Sequence, residues 1–215
     1  MLSIQKLLIN YNFSVRNGPI KYICIHDVGA VSTAINNRNY FNSGEVGASA
    51  DFFIDSKNII QLIDYIKNYG WSVGDGKGKY GIANNNSLSI EMCLEANLKP
   101  STTTVTNTIE LVQKLMKELN IPLERVVRHY DASHKNCPGS FSANNWLLWT
   151  EFKKQLIPSV VVKPINKVNY VLKTQQFLNS IEILDVGGHR LKEDGVIGKL
   201  TFSALDNLNK KLGGK

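Results

Sequence analysis

Thiols, imidazoles and prolines are scarce: the 215 residues include three cysteines, six prolines and four histidines. Cys24, Cys93 and Cys137 are odd in number and scattered, which excludes a disulfide framework and leaves free thiols or metal ligation as their natural uses. No apolar run approaches the roughly 20 residues of a membrane span, so an integral membrane segment is not expected. Met1 to Asn10 carries one lysine and a short apolar stretch but no small-residue cleavage site, so it reads as mature protein without a signal peptide. Lysine and arginine are nowhere interleaved with aromatics as on a single-strand binding face, and no nucleic-acid partner is expected.

What is present describes a folded domain with an appendage. Apolar residues make up 43% and charged residues 20%, ordinary values for a globular protein. The formal charge of +7 favours a polyanionic partner without choosing among nucleic acid, anionic membrane and wall polymer.

Period-two patterns place the strands. Tyr22, Cys24 and His26 share one face of a strand and Ile23 and Ile25 the other. Residues 50–54 and 59–63 flank the turn-like Asp55-Ser-Lys-Asn58 and read as a hairpin. From Ser87 to Leu94 the positions Leu88, Ile90, Met92 and Leu94 line one face, so Glu91 points to the opposite one. After Pro100, Ser101 can cap a helix whose positions Val105, Ile109, Val112, Met116 and Leu119 recur at helical spacing and are expected to lie on the sheet. Asn120 and Pro122 end it; residues 125–129 read as a strand delivering His129 to a polar loop closed by Pro138-Gly139. A helix containing Trp146, Leu147, Trp149, Phe152 and Leu156 follows. The expected fold is an α/β domain with a central mixed sheet flanked by helices over residues 1–156. A linker with two prolines spans 157–165, and a small all-α domain occupies 166–215.

Two of the four histidines sit where a metal site would need them, His26 at a strand end and His129 before a loop, and Cys137 lies eight residues beyond His129. A catalytic zinc takes three protein ligands and keeps a fourth position for water, which a His, His, Cys set satisfies. Packed histidines and a buried thiol fit the same spacing. Glu91 is placed to accept a proton from attacking water, and Lys135 to face an oxyanion; a solvated glutamate and a surface lysine are the plain alternatives.

Five segments carry a family resemblance: Tyr22-Ile-Cys-Ile-His26, residues 48–55, Gly70-Trp-Ser-Val-Gly74, Asn86-Ser-Leu-Ser-Ile-Glu91 and residues 128–139 with their His-to-Lys-x-Cys-Pro ending. In this order they resemble the type 2 N-acetylmuramoyl-L-alanine amidases, the family of phage lysins and peptidoglycan-recognition proteins. The resemblance implies a zinc ion (Zn2+) on His26, His129 and Cys137, Glu91 and Lys135 as catalytic groups, and cleavage between N-acetylmuramic acid and L-alanine of bacterial peptidoglycan. It implies an endolysin held in the host cytoplasm until lysis; a host autolysin and a non-catalytic peptidoglycan receptor are the alternatives. The chain departs from the pattern at Asp51 and Ser72, where many members have histidine. His134, adjacent to Lys135, is left as a solvated loop residue. Cys24 sits about 6.6 Å along the strand from His26 and is expected to pack, as is Cys93. Trp71 is a candidate to line the cleft and stack on sugar.

In the tail, Leu172 to Leu178, the Asp194-Gly-Val-Ile-Gly-Lys-Leu-Thr201 element and Ala204-Leu205 resemble a small three-helix peptidoglycan-binding domain. A second contact with the wall, through this domain, is the partner it implies.

Overall fold

The structure is a computed structural model that describes residues 2–157 and 167–213. Contacts divide the chain into two compact units, Met1–Ser159 and Val160–Lys215. The expected linker, apart from Ile157, lies outside the described residues.

In the first unit, β1 (Ile4–Lys6), β3 (Tyr22–Val31), β4 (Phe52–Ile54), β5 (Ile59–Gln61), β7 (Ser87–Leu94) and β8 (Val126–Arg128) form one sheet in the order β1-β5-β4-β7-β3-β8. Only the β4–β5 hairpin is antiparallel; the other pairings are parallel, so the sheet is mixed as expected. A separate antiparallel ribbon joins β2 (Phe13–Val15) to β6 (Asn68–Gly70). Arg16 pins the ribbon to the main sheet by donating to the carbonyls of Tyr65, Asn68, Asn85 and Ser87.

The two faces of the sheet differ in chemistry. On one, Ile23, Ile25, Phe52, Leu88, Ile90 and Met92 pack under α2 (Thr102–Leu119) and α4 (Ala143–Leu156) in a continuous core. Ser101 caps α2 by accepting from the Thr104 amide at 3.2 Å, and Asn120 ends it in the left-handed region at φ 52°. The buried stripe of α2 is wider than the expected one: Ile109 and Val112 are buried and Val105, Met116 and Leu119 pack at its edge as expected, while Leu111 and Leu115 are fully enclosed beside them. α4 buries Trp149, Phe152 and Leu156 but leaves Leu147 on the surface, because helical spacing puts position 147 on the side opposite that stripe; residues 144–146 adopt left-handed backbone angles in its first turn.

The opposite face carries two smaller apolar clusters. Phe53, Ile60, Leu62 and Cys93 pack against α1 (Ala34–Phe41), while Cys24 and Val127 pack against Val73, Ile82 and Ala132. Between these clusters the β-register aligns Phe53, Glu91 and His26 across β4, β7 and β3. Polar side chains thus enter between the two clusters on this face.

Two expectations are corrected here. β3 runs five residues beyond His26, so His26 is mid-strand and its side chain projects from a rigid ladder. His129 opens not a loop but a short helix, α3 (His129–Ser133), whose first turn is held by Arg128 and Asp131. No helix among the described residues is long and apolar enough to cross a membrane.

The second unit contains α5 (Lys167–Ser180) and α6 (Lys199–Lys211), two helices among the described residues where the resemblance implied three. Its core is Leu178, Ile183, Leu191 and Ala204. A core this small is supplemented by buried amides. Gln175 accepts from the Asp194 and Gly195 amides and donates to Asp194 and the Val196 carbonyl, and Asn179 makes a reciprocal pair with the Leu191 backbone. The Asp194-Gly195 turn is thereby fastened to α5 through side-chain amides.

Candidate active site

β3 contributes His26, β7 contributes Glu91, and the chain leaving β8 supplies His129 at the start of α3 and then Lys135 and Cys137. One donor atom from each of His26, His129 and Cys137 lies within 4.8 Å of the others, and all three residues are buried. The Cys137 Sγ is 3.8 Å from His26 Nδ1, and the two imidazole centroids are 4.7 Å apart. Bonds of ~2.0–2.3 Å to a single zinc ion hold its donors at about this spacing, and two imidazoles with one thiolate are a donor set that zinc favours.

The electrostatics of the bare cluster support the same fit. Burial pushes the Cys137 thiol up to about 12, with the Glu91 charge adding to the effect. Burial holds His26 well below the usual imidazole range, helped by His129 and Lys135, and so both rings of the pair stay neutral and able to donate a lone pair. Neutral nitrogens suit a cation directly, and a divalent ion supplies the opposing charge that a buried thiolate lacks.

Glu91 stands beside the cluster with Oε1 3.8 Å from His26 Nδ1, while its Oε2 is buried with no hydrogen-bond partner. Burial raises its carboxyl to about 8, the neighbouring Asp27 raising it further and Lys135 opposing. A carboxyl poised near neutrality with one unsatisfied oxygen suits a group that exchanges a proton with a reactant. Lys135 is exposed, and with Trp71, Ser72, Glu91 and the three cluster residues it lines a cleft of about 170 Å³. Trp71 is fixed there by donating its indole N–H to Ser14 at 3.0 Å.

All six site residues singled out from the sequence therefore line one cleft. His134 stays outside the cluster: it is exposed and stacks on Tyr80 at 4.5 Å and on Tyr130 at 5.2 Å. Cys24 and Cys93 are buried in separate apolar clusters. The two departures also find places. Ser72 pairs its hydroxyl with that of Ser89, and Asp51 is buried, taking the Ser89 amide at 2.8 Å on one oxygen while the other has no partner.

Two carboxylates escaped the sequence reading. Asp27 accepts from the amide and hydroxyl of Ser140 at 2.7 and 3.1 Å, and its own backbone N–H points to the Cys137 sulfur, so it ties the cysteine loop to β3. Asp75 accepts from His129 Nε2 at 2.8 Å and from the Ser133 hydroxyl at 3.0 Å. Adjacency to His26 was a usable signal for Asp27, whereas Asp75 lies 54 positions from its histidine.

Known proteins resemble this chain to different extents. The N-acetylmuramoyl-L-alanine amidase CwlL of Bacillus licheniformis is 29% identical over 182 residues, 78% of this chain and 50% of that protein. BlyA of Bacillus subtilis, described by the same activity, is 31% identical over 150 residues, 63% of this chain and 40% of that one. CwlH of Bacillus subtilis is 29% identical over 206 residues, 86% and 79% of the two chains. The chain thus spans about half the length of CwlL and less of BlyA. Among solved structures, a mutant endolysin from Bacillus subtilis superposes with a TM-score of 0.63 at 29% identity, covering 73% of this chain and 99% of that one. The catalytic domain of XlyA gives 0.61 at 28%, covering 72% and 99%. Residues 16–140, more than half of the chain and the stretch that holds every candidate site residue, match the N-acetylmuramoyl-L-alanine amidase family, and the chain belongs to that family.

Proposed function

We propose that this protein is a zinc-dependent peptidoglycan amidase of the endolysin type, hydrolysing the amide between N-acetylmuramic acid and L-alanine. The observation that carries the reading is the convergence of His26, His129 and Cys137 beside the unsatisfied Glu91 oxygen. His26, His129 and Cys137 would hold the ion, which when bound supplies Lewis acidity toward the carbonyl and its attacking water. Glu91 takes the proton of that water and returns it to the departing amine of alanine. Lys135 places its ammonium over the oxygen that gains charge as the carbonyl becomes tetrahedral. Trp71 presents a wall on which a sugar ring can rest.

The second unit serves on this reading as a wall-binding module, raising the local concentration of the enzyme on an immobile substrate. The similarity to endolysins supports a lytic role.

Two measurements test the proposal together. The purified protein should carry about one zinc per chain, and cell walls treated with it should gain free alanine amino termini. Cys137→Ala should lose both the metal and the release. Undiminished release by that variant would remove the metal from the mechanism, and new reducing sugar ends in place of amino termini would make the enzyme a glycosidase.

A further inference from the structure

The segment between β6 and β7 is pressed against the helix that carries His129. Gly74–Gly76 forms a short 3-10 turn presenting Asp75, whose carboxylate takes the two bonds from His129 and Ser133 described above. Gly76 approaches the helix so closely that a Cβ there would lie 2.1 Å from the Ala132 carbonyl oxygen, a separation no side chain tolerates. Further on, the Tyr80 ring stacks on His134, just past the end of α3, with its hydroxyl 3.5 Å from Nδ1. The arm thus grips α3 along its length.

A neutral imidazole has one N–H and one lone pair, and an ionised carboxylate only accepts, so the partner of Asp75 must carry the proton. With Nε2–H committed to Asp75, Nδ1 is the nitrogen of His129 left to donate toward His26 and Cys137. His26 has no counterpart to this device, since its Nε2 is buried without a partner. The two histidines of the cluster are therefore held differently, one by its strand and one by a carboxylate brought from a separate loop.

We infer that Asp75 is a positioning residue that fixes the tautomer and ring plane of His129 for metal binding, and that the Gly74–Tyr80 arm exists to deliver it. The inference rests on the zinc reading above for its purpose, but not for its structural content. Hydrogen-bonded partners of this kind typically change metal affinity by about 10- to 100-fold.

Two readouts separate the inference from the reading it rests on. Long-range 1H–15N correlation spectra of the metal-free protein should show His129 protonated at Nε2 alone. Asp75→Ala should show a mixture of tautomers, and Asp75→Asn, whose amide oxygen still accepts, should keep the wild-type pattern. Competition with a chelator should show zinc held about 10- to 100-fold more weakly by Asp75→Ala, with Asp75→Asn between the two. Gly76→Ala, which keeps Asp75 but displaces the arm that carries it, should weaken zinc in the same direction. An Asp75→Ala protein with wild-type circular dichroism, wild-type zinc affinity and an unchanged His129 spectrum would overturn the inference. A wild-type protein that binds no zinc would instead sink the metal reading, and the tautomer spectra would still decide whether Asp75 orients His129.

Discussion

A thiol pushed up to about 12 and two imidazoles held below their ordinary range make a poor proton-transfer set but a donor set that fits a divalent cation. On the proposed mechanism the proton work falls to Glu91. Glu91→Gln keeps the shape and removes the base, so turnover should fall by about 100-fold or more while zinc content stays at the wild-type level; equal turnover would exclude Glu91 from the chemistry. Asp51 leads to a different expectation. Burial raises its carboxyl to about 6, against hydrogen bonding from Ser89 and the Arg16 charge. The neutral carboxyl's favourable contribution is whole below the unfolded value near 3.9 and is lost as pH rises through about 6. Asp51→Asn should therefore gain stability relative to the wild type across that window, by about 2–3 kcal/mol at neutral pH. Denaturant titrations at pH values on both sides of the window would show it, and a difference that does not vary with pH would locate the effect elsewhere. At this scale His26, His129, Cys137, Glu91 and Lys135 were legible as candidates because strand parity and the Lys-x-Cys-Pro pattern are local. Asp75 was not, because nothing in a Gly-Asp-Gly turn announces which distant histidine it will meet.

Among the elements, β7 and α2 bear the weight of the first unit. Leu88, Ile90 and Met92 alternate on β7 into the core that α2 covers with Leu111, Val112 and Leu115. Leu115 is completely enclosed, so Leu115→Ala should cost about 2–5 kcal/mol by lost burial and the cavity left behind. Met116→Ala, at a partly exposed position, should cost less. Chemical denaturation of the two variants orders them; the reverse order would put the centre of the buried face at Met116. The expected face was too narrow and not misplaced: Val105, Ile109, Val112, Met116 and Leu119 all meet the core, and Leu111 and Leu115 widen it, because helical spacing states which residues share a face and only the docked sheet sets how broad a face is covered. α1 was invisible for a related reason: its sequence Ala-Ile-Asn-Asn-Arg-Asn-Tyr-Phe buries only Ala34 and Asn37 and has no apolar period to read. It forms because Thr33 caps the Asn36 amide and Asp55, from the hairpin turn, takes the Ala34 amide.

For the molecule as a whole, the first unit has its own continuous core and its own complete set of site residues. A protein ending at Leu156 should fold, hydrolyse soluble muropeptide amides at the full-length rate and bind cell walls more weakly in a pelleting assay. Unchanged pelleting would give the second unit some other task. That unit depends on polar fastening more than on apolar bulk, so Gln175→Leu should unfold it preferentially by leaving the buried Gly195 amide unpaired, at about 1–3 kcal/mol. The first unit's melting should be unaffected.

The sequence alone determined the alternation of β3 and β7, the hairpin and the caps of α2, since each depends on neighbours within a few positions, and it singled out His26, His129 and Cys137 as candidates by residue type. The three-dimensional fold decided what depends on separation in the chain: that β1 and the β2–β6 ribbon find their partners, that His26 lies mid-strand in register with Glu91, and that Asp75 reaches His129. A strand pattern states which side chains share a face, but the parallel register that aligns one strand's face with another's is set by packing between segments tens of residues apart. The active-site gap is a product of that register, because it opens where two apolar clusters from different parts of the chain stop short of each other.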